Sequence, residues 1–187
     1  MHGHDALSAL FEDLEQQAEG LALAERDAEL GDRIRAEYAM VTWVARLHAS
    51  LGARVRLSTA GVGALDGALV RVGDGWCLVE TSPVSQEWLV LLHAVTRASG
   101  LSDRAVSAEA RSVADRLSVR SALRGLAEAR TVVVLHDVDG TRMRGRLGRV
   151  GADFVELSLE SGEPADEPWQ PAAAVVPLAR LAAVRCG

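Results

Sequence analysis

With 187 residues, 49% of them apolar and 25% charged, the chain has enough hydrocarbon for one medium domain or two small ones, which excludes a disordered tail, a collagen-like repeat and a disulfide scaffold. Aromatic residues make up only 4%, so the core must come from Leu, Val and Ala. The net charge is −6, all 20 basic residues are arginine, and Cys77 and Cys186 have neither CxxC nor metal-ligand spacing, so both are expected as reduced thiols.

In chain order, Leu7, Leu10, Phe11, Leu14, Ala18 and Leu21 recur at three/four spacing from Asp5 onward and predict an amphipathic helix, with a break or bend near Gly20 or Gly31. A helix is expected over Val41–Ala49, followed by short strands around Val55–Leu57, Leu65–Gly73 and Trp76–Val79. The longest apolar run, Trp88–Leu92, is too short to span a bilayer. Ser102–Leu117 reads as a linker helix, after which Ser118 caps a helix over Val119–Ala129 with Val119, Leu123 and Leu126 on one face. Val132–Leu135 is a β-branched run, and Val138-Asp139-Gly140-Thr141 is a hairpin turn. Residues 142–147 then alternate polar and apolar, as a half-buried strand does. Further strands are expected over Phe154–Leu159, Ala174–Val176 and Ala182–Arg185, the last two joined by a tight turn at Pro177–Arg180.

Two stretches repeat. A shift of 78 residues sets Gly67-x-Leu69-x-x-Val72 on Gly145-x-Leu147-x-x-Val150 and Trp76 on Phe154. With a few residues inserted, Trp88 faces Trp169, Val90 faces Pro177 and Gly100 faces Gly187. The expected fold is therefore mainly β with helices: two tandem five-stranded barrels, each preceded by a helix, plus an N-terminal helical extension. The expected boundaries are 1–40 for the extension, 41–100 for the first barrel with its helix, 101–117 for the linker helix and 118–187 for the second barrel with its helix. A helix followed by a bent five-stranded unit, with Asp139-Gly140 at the first hairpin and G-x-L-x-x-V in the second strand, resembles the Sm-like family. That resemblance implies small β-barrels that commonly bind RNA as rings, through an Asp and an Asn after the second strand. The matching positions fall near Gly73 and Cys77 and near Gly151 and Val155, where no side chain can hydrogen-bond a base edge, so the fold carries over and the RNA pocket does not.

Val132–Thr141 also resembles the hhhhDxDGT signature of haloacid-dehalogenase-type phosphotransferases, in which Asp137 would be the nucleophile and Asp139 the general acid/base. The chain has no lysine to steady a phosphoryl group, and a strand rather than a helix follows, so the phosphotransferase is kept as a remote alternative. With no GxSxG, HExxH or Cys/His pair, no catalytic residue, metal or cofactor is expected and the protein is read as a non-enzyme. Charge is uneven: residues 1–96 carry −7, 97–150 carry +5 and 151–187 carry −4. Within the basic third, Arg142, Arg144 and Arg146 share one face of a strand and Arg149 lies just beyond, an anion-binding stripe that would suit RNA or DNA. The stripe Leu7, Leu10, Phe11, Leu14 and Leu21 needs a cover, which makes it the candidate contact for a homodimer. The expected function is a non-catalytic, cytoplasmic binding or scaffold module acting through protein contacts, with no membrane partner. The alternative is a nucleic-acid-binding regulator using Arg142–Arg149.

Overall fold

Among the described residues the main elements are ten strands: β1 (Arg54–Thr59), β2 (Gly63–Gly73), β3 (Trp76–Thr81), β4 (Gln86–Leu91), β5 (Val95–Ser99), β6 (Val132–Asp137), β7 (Arg142–Val150), β8 (Phe154–Leu159), β9 (Ala173–Pro177) and β10 (Leu181–Cys186). The computed structural model describes residues 16–17, 20, 25–26, 29–82, 85–107, 109–110, 112, 114–159 and 173–186. All the pairings between these strands are antiparallel, and the strands form one sheet in the order β5-β1-β2-β3-β4-β10-β6-β7-β8-β9. The two separate barrels expected from the sequence are thus replaced by two five-stranded blocks of a single open sheet. The reason is the β4–β10 ladder, which spends the last strand of the second block on the first.

The blocks share a hydrogen-bond register. Leu57 faces Leu65 in the first, and Leu135 faces Met143 in the second, an offset of 78 residues (Leu57 to Leu135). In the last two strands of each block the offset is 86 (Leu91 to Pro177, Ser99 to Arg185), because Trp76 faces Leu91 where Phe154 faces Pro177, and Arg56 faces Ser99 where Val134 faces Arg185. Irregularities recur too: the register slips between Leu69 and Arg71 and again between Leu147 and Val150. The expected match of Val90 with Pro177 is therefore one residue out. Val90 corresponds to Val176, and both are buried. Trp88 corresponds to Ala174 on β9, and Trp169 lies outside the described residues.

Two hydrophobic clusters meet at the joint. Trp88, Val90 and Ala183 pack with Val55, Leu57, Leu69 and Val79 of the first block. On the opposite face, Leu89, Leu91 and Val184 pack with Leu123, Leu135, Leu147, Val155 and Leu157 of the second. Alternate residues of β4 therefore feed different cores, which is why Trp88–Leu91 and Leu181–Val184 are buried without interruption. Each fully buried Leu or Val contributes about 1.5–3 kcal/mol relative to exposure, so the joint belongs to the core of the protein.

Among the described residues the helices are few. The chain divides into two compact units, Met1–Thr42 and Trp43–Gly187. The first contains a helix over 29–39, α1, which continues through Gly31, so of the two places expected for a break Gly31 holds none, while the neighbours of Gly20 lie outside the described residues; the backbone hydrogen bonds of the surrounding turns outweigh one glycine's roughly 1 kcal/mol penalty. In the second unit, α2 (Trp43–His48) and α3 (Val119–Glu128) precede the two blocks. Ser118 caps α3 as expected, its side chain accepting from the Ser121 N–H at 3.3 Å, and Leu123 is the buried residue of that helix. Among the described residues of 102–117 the expected linker helix is absent. They hold one 3-10 turn, Ala114–Arg116, while Ser102 accepts from the Arg104 N–H and the Ser112/Asp115 pair exchanges side-chain to backbone bonds. Such local bonds compete with the helical ladder.

Candidate functional site

The basic stripe lies on β7. Arg142, Arg144 and Arg146 are all exposed and alternate with half-buried or buried Met143, Gly145 and Leu147, so the three guanidinium groups start from one face. Across the ladder they face His136, Val134 and Val132 of β6, and Val134 in turn faces Arg185 of β10. Arg185 thus stands on the same face one strand further on, half-buried with its guanidinium 5.7 Å from the Trp88 ring, a placement that sequence reasoning missed because only the register of two distant strands reveals it. Arg149 is withdrawn from the set: its Nε and Nη2 donate to the two carboxylate oxygens of Glu156 at 3.0 and 2.7 Å. That pairing holds the Glu156 carboxyl below its ordinary range. In the first block the corresponding residues are Ala64, Asp66 and Ala68, and Asp66 is held by Arg56 at 2.8 Å. The stripe therefore belongs to the second block alone.

Beneath Arg142 and Arg185 sits His136, 3% exposed, its ring 5.0 Å from that of Trp88. Neither ring nitrogen has a hydrogen-bond partner. Burial first, then the charges of Arg142 and Arg185, push its pKa down to about 4. An unfolded histidine takes up a proton near 6.5, so between that value and about 4 the unfolded chain binds a proton that the folded one refuses. Stability is then full above pH 6.5 and falls as the pH drops toward 4. A melting temperature that declines over this window, and a shallower decline in His136→Leu, is the expected result. An identical slope in the variant would assign the decline to other groups.

The acids of the phosphotransferase-like signature serve the backbone. Asp137 ends β6 and Asp139 lies in the turn, with Gly140 at φ +96° as a tight hairpin requires. Arg180, from the turn between β9 and β10, reaches Asp137 Oδ1 and Asp139 Oδ2, both at 2.9 Å. Asp139 also accepts from the Thr141 N–H at 2.9 Å, and hydrogen bonding from Thr141, followed by Arg180, holds its carboxyl below the ordinary range. Both carboxylates are thus engaged in pinning one turn to another. Burial pushes the Cys77 thiol up to about 12 and raises that of Cys186, which keeps both protonated and poorly nucleophilic. Among the described residues no group of three His, Cys, Asp or Glu side chains is placed to hold a metal ion. At the positions matched to an Sm-like RNA pocket, Cys77 and Val155 are fully buried.

Surfaces suited to a macromolecule are more prominent. On α1, Leu30, Ile34 and Tyr38 follow at four-residue intervals and are 57%, 64% and 62% exposed. Arg33 pairs with Glu37 and Arg35 with Asp32 along the same helix. Leu7, Leu10, Phe11, Leu14 and Leu21 lie outside the described residues. In the second unit a cleft of about 810 Å3 is lined by Trp43, Asp74, His93, Asp115 and Arg116, among others. A more apolar groove of about 420 Å3 runs beside the joint, between Leu78 and Leu89 on the sheet and Ala122 and Leu126 on α3. Among the described residues no helix is long and apolar enough to cross a membrane. No protein-family model matches the chain, and no curated protein matches it.

Proposed function

We propose that this chain is a non-catalytic, cytoplasmic binding module of two tandem Sm-like units that acts through protein contacts and pairs with a second copy through its N-terminal helical extension. The observation that carries this reading is the stripe Leu30, Ile34 and Tyr38, each more than half exposed on a helix that pairs Arg33 with Glu37 and Arg35 with Asp32. Short helices are marginal in water, and an apolar row at this spacing gains most by facing another such row. The shared register and bulges of the two blocks support the tandem-unit reading. Sedimentation equilibrium tests the pairing: Ile34→Asp or Leu14→Asp is expected to halve the mass of the wild-type assembly. A wild-type chain that sediments as a single copy would overturn the helix pairing.

A second reading, RNA or DNA binding, is favoured by the shared exposed face of Arg142, Arg144 and Arg146. It predicts an affinity that falls steeply with salt, as counterions are released from each neutralised phosphate. The triple change of these residues to Glu is expected to abolish retention of a labelled single strand at low salt. Binding that ignores salt, or none at low salt, removes this reading.

A further inference from the structure

The joint at the centre of the sheet joins one repeat to the next, and both of its halves recur at the ends of the sheet, where among the described residues no further strand pairs with them. In the joint, Ala183, Val184, Arg185 and Cys186 of β10 face Val90, Leu89, Trp88 and Glu87 of β4. The counterpart of β4 in the second block is β9, and the counterpart of β10 in the first is β5; these are the two end strands of the sheet. Applying the 86-residue offset of the last two strands (Leu91 to Pro177) to each pair sets Val176 opposite Arg97, Val175 opposite Ala98, Ala174 opposite Ser99 and Ala173 opposite Gly100.

Side chains at these edges are arranged as the joint would require. Leu89 and Leu91 pack into the cluster of the neighbouring block and not into their own. Their counterparts are Val175, which is 64% exposed where Leu89 is 3%, and Pro177, which is also exposed. Val176, like Val90, points into its own core. On the receiving side, β5 borders a groove of about 320 Å3 lined by Trp43, Arg46, Val95, Ala98 and Leu101, with Trp43 39% exposed. Proline removes a ladder donor, yet Pro177 costs nothing here, since Leu91 lies beyond the paired residues of the joint.

We infer that β5 receives β9 of a second copy of this chain, continuing the sheet head to tail with the register of the internal joint. The contact uses two different surfaces, so it repeats from copy to copy and either closes on itself or grows. It is separate from the pairing through α1 and does not depend on it.

Cysteine cross-linking of the full chain tests the register. Ser99→Cys/Ala174→Cys places two thiols directly opposite each other, and mild oxidation is expected to give a ladder of covalent multimers, with the wild-type chain and its own thiols as the blank. Ser99→Cys/Val175→Cys is one residue out of register, which turns the thiols to opposite faces of the sheet, and should give at least tenfold less ladder. Sedimentation of Ile34→Asp, in which the α1 stripe is interrupted, is expected to show residual assembly that Val175→Asp removes. Ile34→Asp sedimenting as one copy at the highest attainable concentration, with no in-register ladder, would overturn the head-to-tail contact and leave the α1 pairing standing. A ladder that persists while Ile34→Asp leaves the wild-type mass unchanged would uphold this contact and dismiss the α1 pairing instead.

Discussion

Leu89→Asp is expected to destabilise the protein by about 3–5 kcal/mol in urea unfolding, whereas Val175→Asp, its counterpart in the second block, should change the stability of a single copy by no more than about 0.5 kcal/mol. The two residues occupy the same position in a repeated strand. Leu89 is 3% exposed and packs among Leu123, Val184 and the other residues of the second core, while Val175 is 64% exposed. A carboxylate at Leu89 would lose its hydration among the hydrocarbon of that cluster. At Val175 it would stay in water. Equal losses for the two variants would mean that Val175 is covered as Leu89 is, and β9 would not be an exposed edge of a single copy.

The second large effect is expected at Gly67 and Gly145. These glycines are equivalent, and a Cβ built on either would overlap a carbonyl of the neighbouring strand, Glu80 in the first block and Ser158 in the second. Backbone, unlike the end of a flexible side chain, cannot step aside, so Gly67→Val and Gly145→Val should each cost about 3 kcal/mol or more. Both lie just before the register slips at Leu69/Arg71 and Leu147/Val150, where the strand bends. Gly125, inside α3 with nothing within 4 Å of a built Cβ, is the control. Gly125→Ala should instead stabilise by about 0.5–1 kcal/mol. Denaturant midpoints of the three variants decide the matter, and a tolerated valine at Gly145 would argue against the close approach of β7 and β8.

Much of the local structure was legible in the residues. The Gly-x-Leu-x-x-Val pattern, the Asp139-Gly140 turn and the Ser118 cap each act over a few residues, and the strands, hairpin and helix they imply are all present. The linker helix expected over 102–117 from apolar spacing is replaced by local bonds in which the Ser102 and Ser112 hydroxyls accept from backbone N–H groups. The one-residue error in matching the last strands has another cause. Ala- and Val-rich strands carry no side chain that marks register, and the connection over 160–172 is longer than the one between β3 and β4. The candidate site shows the same division. That Arg142, Arg144 and Arg146 share a face follows from strand periodicity. That Arg149 is taken up by Glu156 and Arg185 stands on the same face depends on which strands pair.

By itself, the sequence determined a strand-rich chain, duplicated at an offset of 78 residues, with apolar alternation in each copy. Only the tertiary structure decided that the copies fuse through β4 and β10 into one sheet, leaving β5 and β9 as its edges. The physical reason is range. Periodicity, caps and turns are set by neighbours along the chain, whereas the choice of a strand's second partner rests on hydrocarbon packing between segments more than ninety residues apart, Leu89 against Val184 among them.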